Sequence, residues 1–171
     1  MLAFILLAAG ILTRFADHAP NFTPTIALAL FGGVYLPRKY TIITPVLFML
    51  LSDLVIGFHD TMLYTYGSMI LISLIGLQIR KNNKFSSFLL GGVASSVLYF
   101  LITNLGAWPT LYPVTWKGLS ECFVAAIPFF RNTFVSTILY SVVLYGVYEL
   151  VASRVRDTRW ARIWLNPPAG H

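Results

Sequence analysis

The chain has 171 residues, of which 57% are hydrophobic and 11% charged, with a net charge of +6 from twelve lysines and arginines and six acidic residues. Soluble domains carry roughly 25% charged residues, so a water-soluble enzyme or binding domain does not fit this composition. The positive balance does not point to nucleic acid either, because the cations stand between long apolar runs, where they serve as orientation signals for membrane helices.

Crossing about 30 Å of hydrocarbon takes about 20 mostly apolar residues, and several runs meet or approach that length. The first apolar segment, 2–15, ends at Arg14, whose stem can reach the interface. No lysine or arginine precedes it, as a signal peptide would require, so it reads as a first span. A polar connection follows, holding Asp17, His18, Pro20, Asn21, Thr23 and Pro24. The second segment, 24–36, is short, and is tilted or re-entrant. The third covers 41–58 and turns at His59 and Asp60; the fourth covers 61–79 and stops at Arg80, Lys81 and Lys84. The fifth covers 86–104. Leu105 to Gly118, rich in tryptophan, tyrosine and proline, reads as a long outer connection. Residues 119–130 are apolar and contain Pro128, and form a helix of their own or a kinked extension of the sixth span, 132–152.

The expected fold is an all-α integral membrane bundle of about six transmembrane helices over 1–153, with a basic interfacial tail over 154–171. In the tail, Trp160 and Trp164 are four apart, as in a short amphipathic surface helix. Nine cations fall on one side of this topology, namely Arg38, Lys39, Arg80, Lys81, Lys84, Arg154, Arg156, Arg159 and Arg162; Arg14, Lys117 and Arg131 fall on the other. The excess places both termini in the cytoplasm. The lone cysteine, Cys122, allows no intrachain disulfide.

The connections on the sparsely basic side, 16–24, 58–61 and 104–131, collect the unusual polar and aromatic residues, so a binding site is expected to open outward. Asp53 is the most informative single residue. An ionisable group at membrane depth is costly unless paired or wetted and marks a functional site by default. Arg131 is its expected counter-charge, either as an ion pair fixing two helices or as part of a pocket for a polar ligand. His18, Asn21, His59 and Asn104 would add hydrogen bonds. Trp108, Tyr112 and Trp116 recur every four residues and form an interfacial belt or a lid over a planar ligand. His18 and His59, with Asp17 and Asp60 nearby, lack metal-ligand spacing, and no metal or cofactor is assigned. Ala29 and Gly33, like Gly91 and Ser95, are small residues four apart that let helix backbones approach closely. They pack within the bundle or receive a partner's helix. No phosphate-binding loop of the GxxxxGK[ST] type, no GxSxG and no catalytic arrangement occurs, so the chain does not read as an enzyme.

Several runs resemble an uncharacterised bacterial family of putative transport proteins: His18-Ala-Pro-Asn-Phe-Thr-Pro24, Ala29-Leu-Phe-Gly-Gly33, Ser52-Asp53-Leu54, Gly57-Phe58-His59, Thr103-Asn104, Tyr112-Pro113 and Ala125 to Thr133. That family in turn resembles the substrate-binding S components of energy-coupling factor (ECF) transporters. The resemblance implies a six-helix protein of the bacterial inner membrane that captures a micronutrient near its outer face. It also implies docking, through a small-residue patch for which Ala29 and Gly33 stand, to a transmembrane coupling protein with two ATPases. The resulting expectation is uptake of a small solute. The alternatives are an accessory subunit of a larger membrane complex and a lipid-headgroup enzyme using His59 and Asp60.

Overall fold

The computed structural model describes residues 1–16 and 19–165, and the regular elements among them are all helices, without a strand. Eight helices follow one another: α1 (Leu2–Leu12), α2 (Thr25–Tyr35), α3 (Arg38–Thr41), α4 (Ile43–Ile56), α5 (Met62–Ile79), α6 (Phe85–Leu111), α7 (Trp116–Val155) and α8 (Ala161–Trp164). Four stretches are long and apolar enough to cross a membrane: Arg38–Ile56, Met62–Asn82, Phe85–Leu111 and Trp116–Val155. The remaining apolar helices, Leu2–Phe15 and Thr25–Tyr35, are shorter. At 1.5 Å per residue, the 11 residues of α2 are about 16 Å long, roughly half a hydrocarbon thickness.

The shortness of α2 is matched by its position. Every one of its residues is buried, and it packs most extensively against α5 and then α7. Its sequence explains this: Ile26 to Val34 has no charge and no polar side chain, and a helix apolar on all sides belongs inside a bundle. Its crossing with α5 is built on two glycines. A Cβ on Gly33 would lie 2.4 Å from the Ser73 carbonyl oxygen and 2.7 Å from the Gly76 Cα, and one on Gly76 would meet the Leu30 carbonyl at 2.4 Å. The expected partner-docking role of Ala29 and Gly33 is therefore corrected. Ala29 is fully buried and Gly33 lies against α5, so the chain itself occupies that small-residue face.

The helical hairpin of α6 and α7 also differs from expectation. The long connection expected over 105–118 shrinks to Tyr112–Thr115, because α6 continues through Pro109 to Leu111. Of the two readings for residues 119–130, the structure has the extension of the sixth span: α7 runs unbroken for 40 residues through Pro128. A proline deletes one backbone donor but leaves the remaining ladder intact, which membrane helices tolerate where neighbours satisfy the freed carbonyl. Thr115 starts α7 as a side-chain cap, its hydroxyl accepting from the Gly118 amide at 3.1 Å. Gly118 lies so close to Pro113 that a Cβ there would stand 2.1 Å from the Pro113 carbonyl oxygen, which makes the turn tight.

Interior contacts give the bundle two distinct ends. At one, Arg80 donates to the carbonyls of Gly33 and Leu36 and to the Thr41 hydroxyl. Tyr35 donates to Glu149 at 3.1 Å, and the Met1 amine reaches the Trp164 carbonyl at 3.3 Å. Arg38, Lys39, Lys81, Lys84 and the basic residues from Arg154 to Arg162 belong to this basic end by chain continuity. The opposite end holds Arg14, the 19–23 connection and the tips of α4, α5 and α6. The flanks between them expose large apolar side chains, among them Leu71, Leu101 and Leu139.

Candidate functional site

The site begins with two helix ends that local sequence places. A 3-10 turn over Thr13–Phe15 tightens the end of α1, with the Thr13 hydroxyl donating to the Gly10 carbonyl at 2.7 Å, and this turn carries Arg14. α4 stops at Gly57, whose φ of +112° and ψ of +151° are open only to glycine. The Gly57 amide closes on the Asp53 carbonyl at 2.8 Å, so Asp53 sits one turn from the helix end.

There Asp53 meets Arg14, not Arg131. The Arg14 Nη2 to Asp53 Oδ1 distance is 3.2 Å, and the second carboxylate oxygen accepts from the Tyr66 hydroxyl at 2.8 Å. Arg14 Nη1 also donates to the Ser52 hydroxyl, which in turn donates to the Met49 carbonyl at 2.8 Å, and it lies 3.1 Å from the Met49 sulfur. Arg131 is exposed on α7. The expected Asp53–Arg131 pair is thus replaced by an Asp53–Arg14 pair. The cation that ends α1 approaches the α4 carboxylate because both helices stop at the same end of the bundle. A signal for this was present: Arg14 is the first charged residue of the chain, and Asp53 is the only acidic residue between Asp17 and Asp60.

Arg14 forms part of the wall of a cavity of about 420 Å³ enclosed by the 21–26 segment, α4, α5, α6 and α7. Its polar wall is rich in hydroxyls, with Thr23, Thr25, Thr61, Thr65, Thr103 and Thr133; Phe100, Phe129 and Phe130 form an aromatic face. Of the residues expected to bind ligand, the structure brings Asn21, His59 and Asn104 into this wall. Asn21 adopts a φ of +60°, a left-handed conformation that asparagine tolerates better than most residues. The His59 ring nitrogen Nδ1 pairs with the Thr61 hydroxyl at 3.0 Å. The Asn104 amide nitrogen turns back onto the Phe100 carbonyl at 2.7 Å. His18 lies outside the described residues.

Asp53 stands behind Arg14, only 2% exposed, and does not line the cavity; nor do Arg131, Trp108, Tyr112 and Trp116. The aromatic trio belongs to the α6–α7 turn. The Trp108 indole donates to the Pro113 carbonyl at 2.9 Å, and Trp116 is 85% exposed. The expected lid is corrected accordingly: Trp108 is held by its own turn, and the continuation of both helices carries the trio away from the cavity wall. What residue reading missed was the threonine wall, since six threonines on different elements make no linear motif.

The backbone adds to the field of the site. α2 begins at Pro24 with no side chain capping its first turn, and Thr23, Thr25 and Ile26 lie on the cavity wall. The amide end of a helix carries partial positive charge, so α2 presents that end to the same space as Arg14.

A family model matches residues 1–160, nearly the whole chain. The chain belongs to DUF6580, a family of unknown function. No curated protein and no solved structure matches the chain, so the resemblance to ECF S components rests on the motif reading alone.

Proposed function

We propose that this member of DUF6580 is a multi-pass membrane protein that binds a small solute in the Arg14 cavity for uptake. The observation that carries the reading is the cavity itself: about 420 Å³, within the ordinary range for small-molecule sites, with Asn21, His59 and Asn104 drawn from three separate chain segments. It lies at the end of the bundle away from nine of the twelve lysines and arginines. By the positive-inside rule, the basic end with the Met1 amine and α8 is cytoplasmic and the cavity opens outward. The chain then passes six times, with α1 and α2 as short passes shielded by their neighbours, in the inner membrane of a bacterium. Lacking a phosphate-binding loop, it would draw energy for uphill transport from a coupling partner with ATPases, as an S component does, or from an ion gradient.

The length of α7 supports a second reading, an accessory subunit of a larger membrane complex. At about 60 Å it is twice the hydrocarbon thickness, and Val124, Ile127 and Leu150 leave apolar surface towards both of its ends. Native mass spectrometry of the gently solubilised protein separates the two. A bound small molecule or an ATPase-containing assembly is expected. A ligand-free, stoichiometric association with a large unrelated complex overturns the uptake reading.

A further inference from the structure

The geometry points to a small organic monoanion, a carboxylate on an apolar or aromatic body, as the class of solute this cavity takes, with Arg14 as its anchor. The inference rests on the solute-binding reading above and deepens it.

Asp53 and Arg14 form a neutral pair, but only one half of it meets the cavity. Both oxygens of Asp53 are engaged, one by Arg14 and one by Tyr66, and the carboxylate is 2% exposed behind the guanidinium. A guanidinium has five N–H donors. The described partners of Arg14 are Met49 and Ser52 at Nη1 and Asp53 at Nη2. Nε and the second Nη2 hydrogen have no partner among the described residues. These donors belong to a side chain 13% exposed that lines the cavity, and no carboxylate lines the cavity among the described residues. Asp53, Ser52 and Tyr66 are positioning residues: they hold the guanidinium and absorb the cost of its burial without presenting negative charge to a ligand.

The amide end of α2 acts in the same direction, adding partial positive charge beside Thr23 and Thr25. At its far end α2 is closed by the Arg80 guanidinium on the Gly33 and Leu36 carbonyls, so the amide end alone is left open. A cationic solute would face Arg14 and this helix end with no carboxylate among the described residues to receive it. A neutral solute would leave the charged donors without a full partner, whereas an anion forms charge-assisted hydrogen bonds with them. One fixed cation matches one negative charge. Phe100, Phe129 and Phe130 supply a face for an apolar body, while Thr65, Thr103 and Thr133 donate their hydroxyl hydrogens to the carbonyls of Thr61, Tyr99 and Phe129 and keep oxygen lone pairs for further polar groups.

The test uses the full chain in nanodiscs of zwitterionic phosphatidylcholine, with benzoate, benzamide and benzylamine as probes of similar size that differ in charge, read by calorimetry and thermal shift. Benzoate is expected to bind and the other two not. Arg14→Gln should weaken benzoate roughly tenfold to a hundredfold, the loss expected of a hydrogen bond to a charged group. Because that variant strands a buried carboxylate, the Arg14→Gln/Asp53→Asn double variant is measured beside it. It carries no unpaired charge and should lose benzoate equally. Benzamide or benzylamine binding as tightly as benzoate would overturn the anion assignment while leaving solute binding in place. So would benzoate affinity unchanged in the double variant. Competition by phosphatidylglycerol in the disc would assign the cation to a lipid headgroup instead, which also overturns it. Absence of binding by all three probes, with no small molecule retained in native mass spectrometry, would remove the uptake reading together with the anion.

Discussion

Each end of the bundle holds an arginine in its interior, and the two are satisfied by different kinds of partner. At the basic end, Arg80 spends its Nη2 on the Gly33 and Leu36 carbonyls and the Thr41 hydroxyl. It closes the carbonyl end of a buried half-length helix, where a cation opposes the helix dipole. At the cavity end, Arg14 is neutralised by a carboxylate and forms part of the cavity wall. On the anion proposal, a guanidinium held by backbone carbonyls is structural mortar, whereas the one balanced from behind by Asp53 is the ligand's anchor. Burial by itself does not tell the two apart; the kind of partner does.

The sharpest way to break this comparison is to remove the balancing charge. Asp53→Asn should lower stability by about 3–5 kcal/mol, the cost of leaving a buried partner uncompensated, measured by denaturant unfolding in mixed micelles. The Arg14→Gln/Asp53→Asn double variant should lose less than the sum of the single variants, and strict additivity would mean that the pair contributes no coupling. Arg80→Gln should cost about 2–3 kcal/mol through lost hydrogen bonds to a charged donor, while leaving benzoate binding unchanged; a variant that binds benzoate differently would erase the distinction between the two ends. Gly76→Ala should cost about 1–3 kcal/mol by overpacking the α2–α5 crossing, because the new methyl meets the Leu30 carbonyl, which has no rotamer to swing away. The smallest effect belongs to Arg131→Gln. This residue is exposed, and its loss should stay within about 0.5 kcal/mol; a larger loss in the same unfolding assay would restore Arg131 to a role at depth.

The apolar segments and their order were legible because a long run without charge leaves the chain few alternatives to a helix. Asp53 stood out for the same reason, as a single charge inside such a run. Its partner did not, since Arg14 and Arg131 are both cations near the same end, and linear spacing cannot choose between helices that meet only after folding. The 105–118 connection was drawn too long from its prolines and aromatics, and spacing alone left 119–130 open between a helix of its own and the extension of the sixth span that it forms. Pro109 and Pro128 look like breaks in isolation, but each removes only one donor from a helix whose remaining bonds continue. The Ala29–Gly33 face was recognised as a close-packing surface, but its occupant proved to be α5 of the same chain.

The sequence by itself determined that this is a helical protein with long apolar segments, that its cations cluster in particular connections, and that Asp53 must be paired. Those are properties of runs of residues, set by hydrophobicity and local hydrogen bonding. Only the tertiary structure decided which cation Asp53 meets, that α2 is enclosed at the centre, and that threonines from four separate stretches line one cavity with Arg14. Such choices depend on which helix faces come together, and the physical cause is close packing: two glycines let α2 and α5 touch.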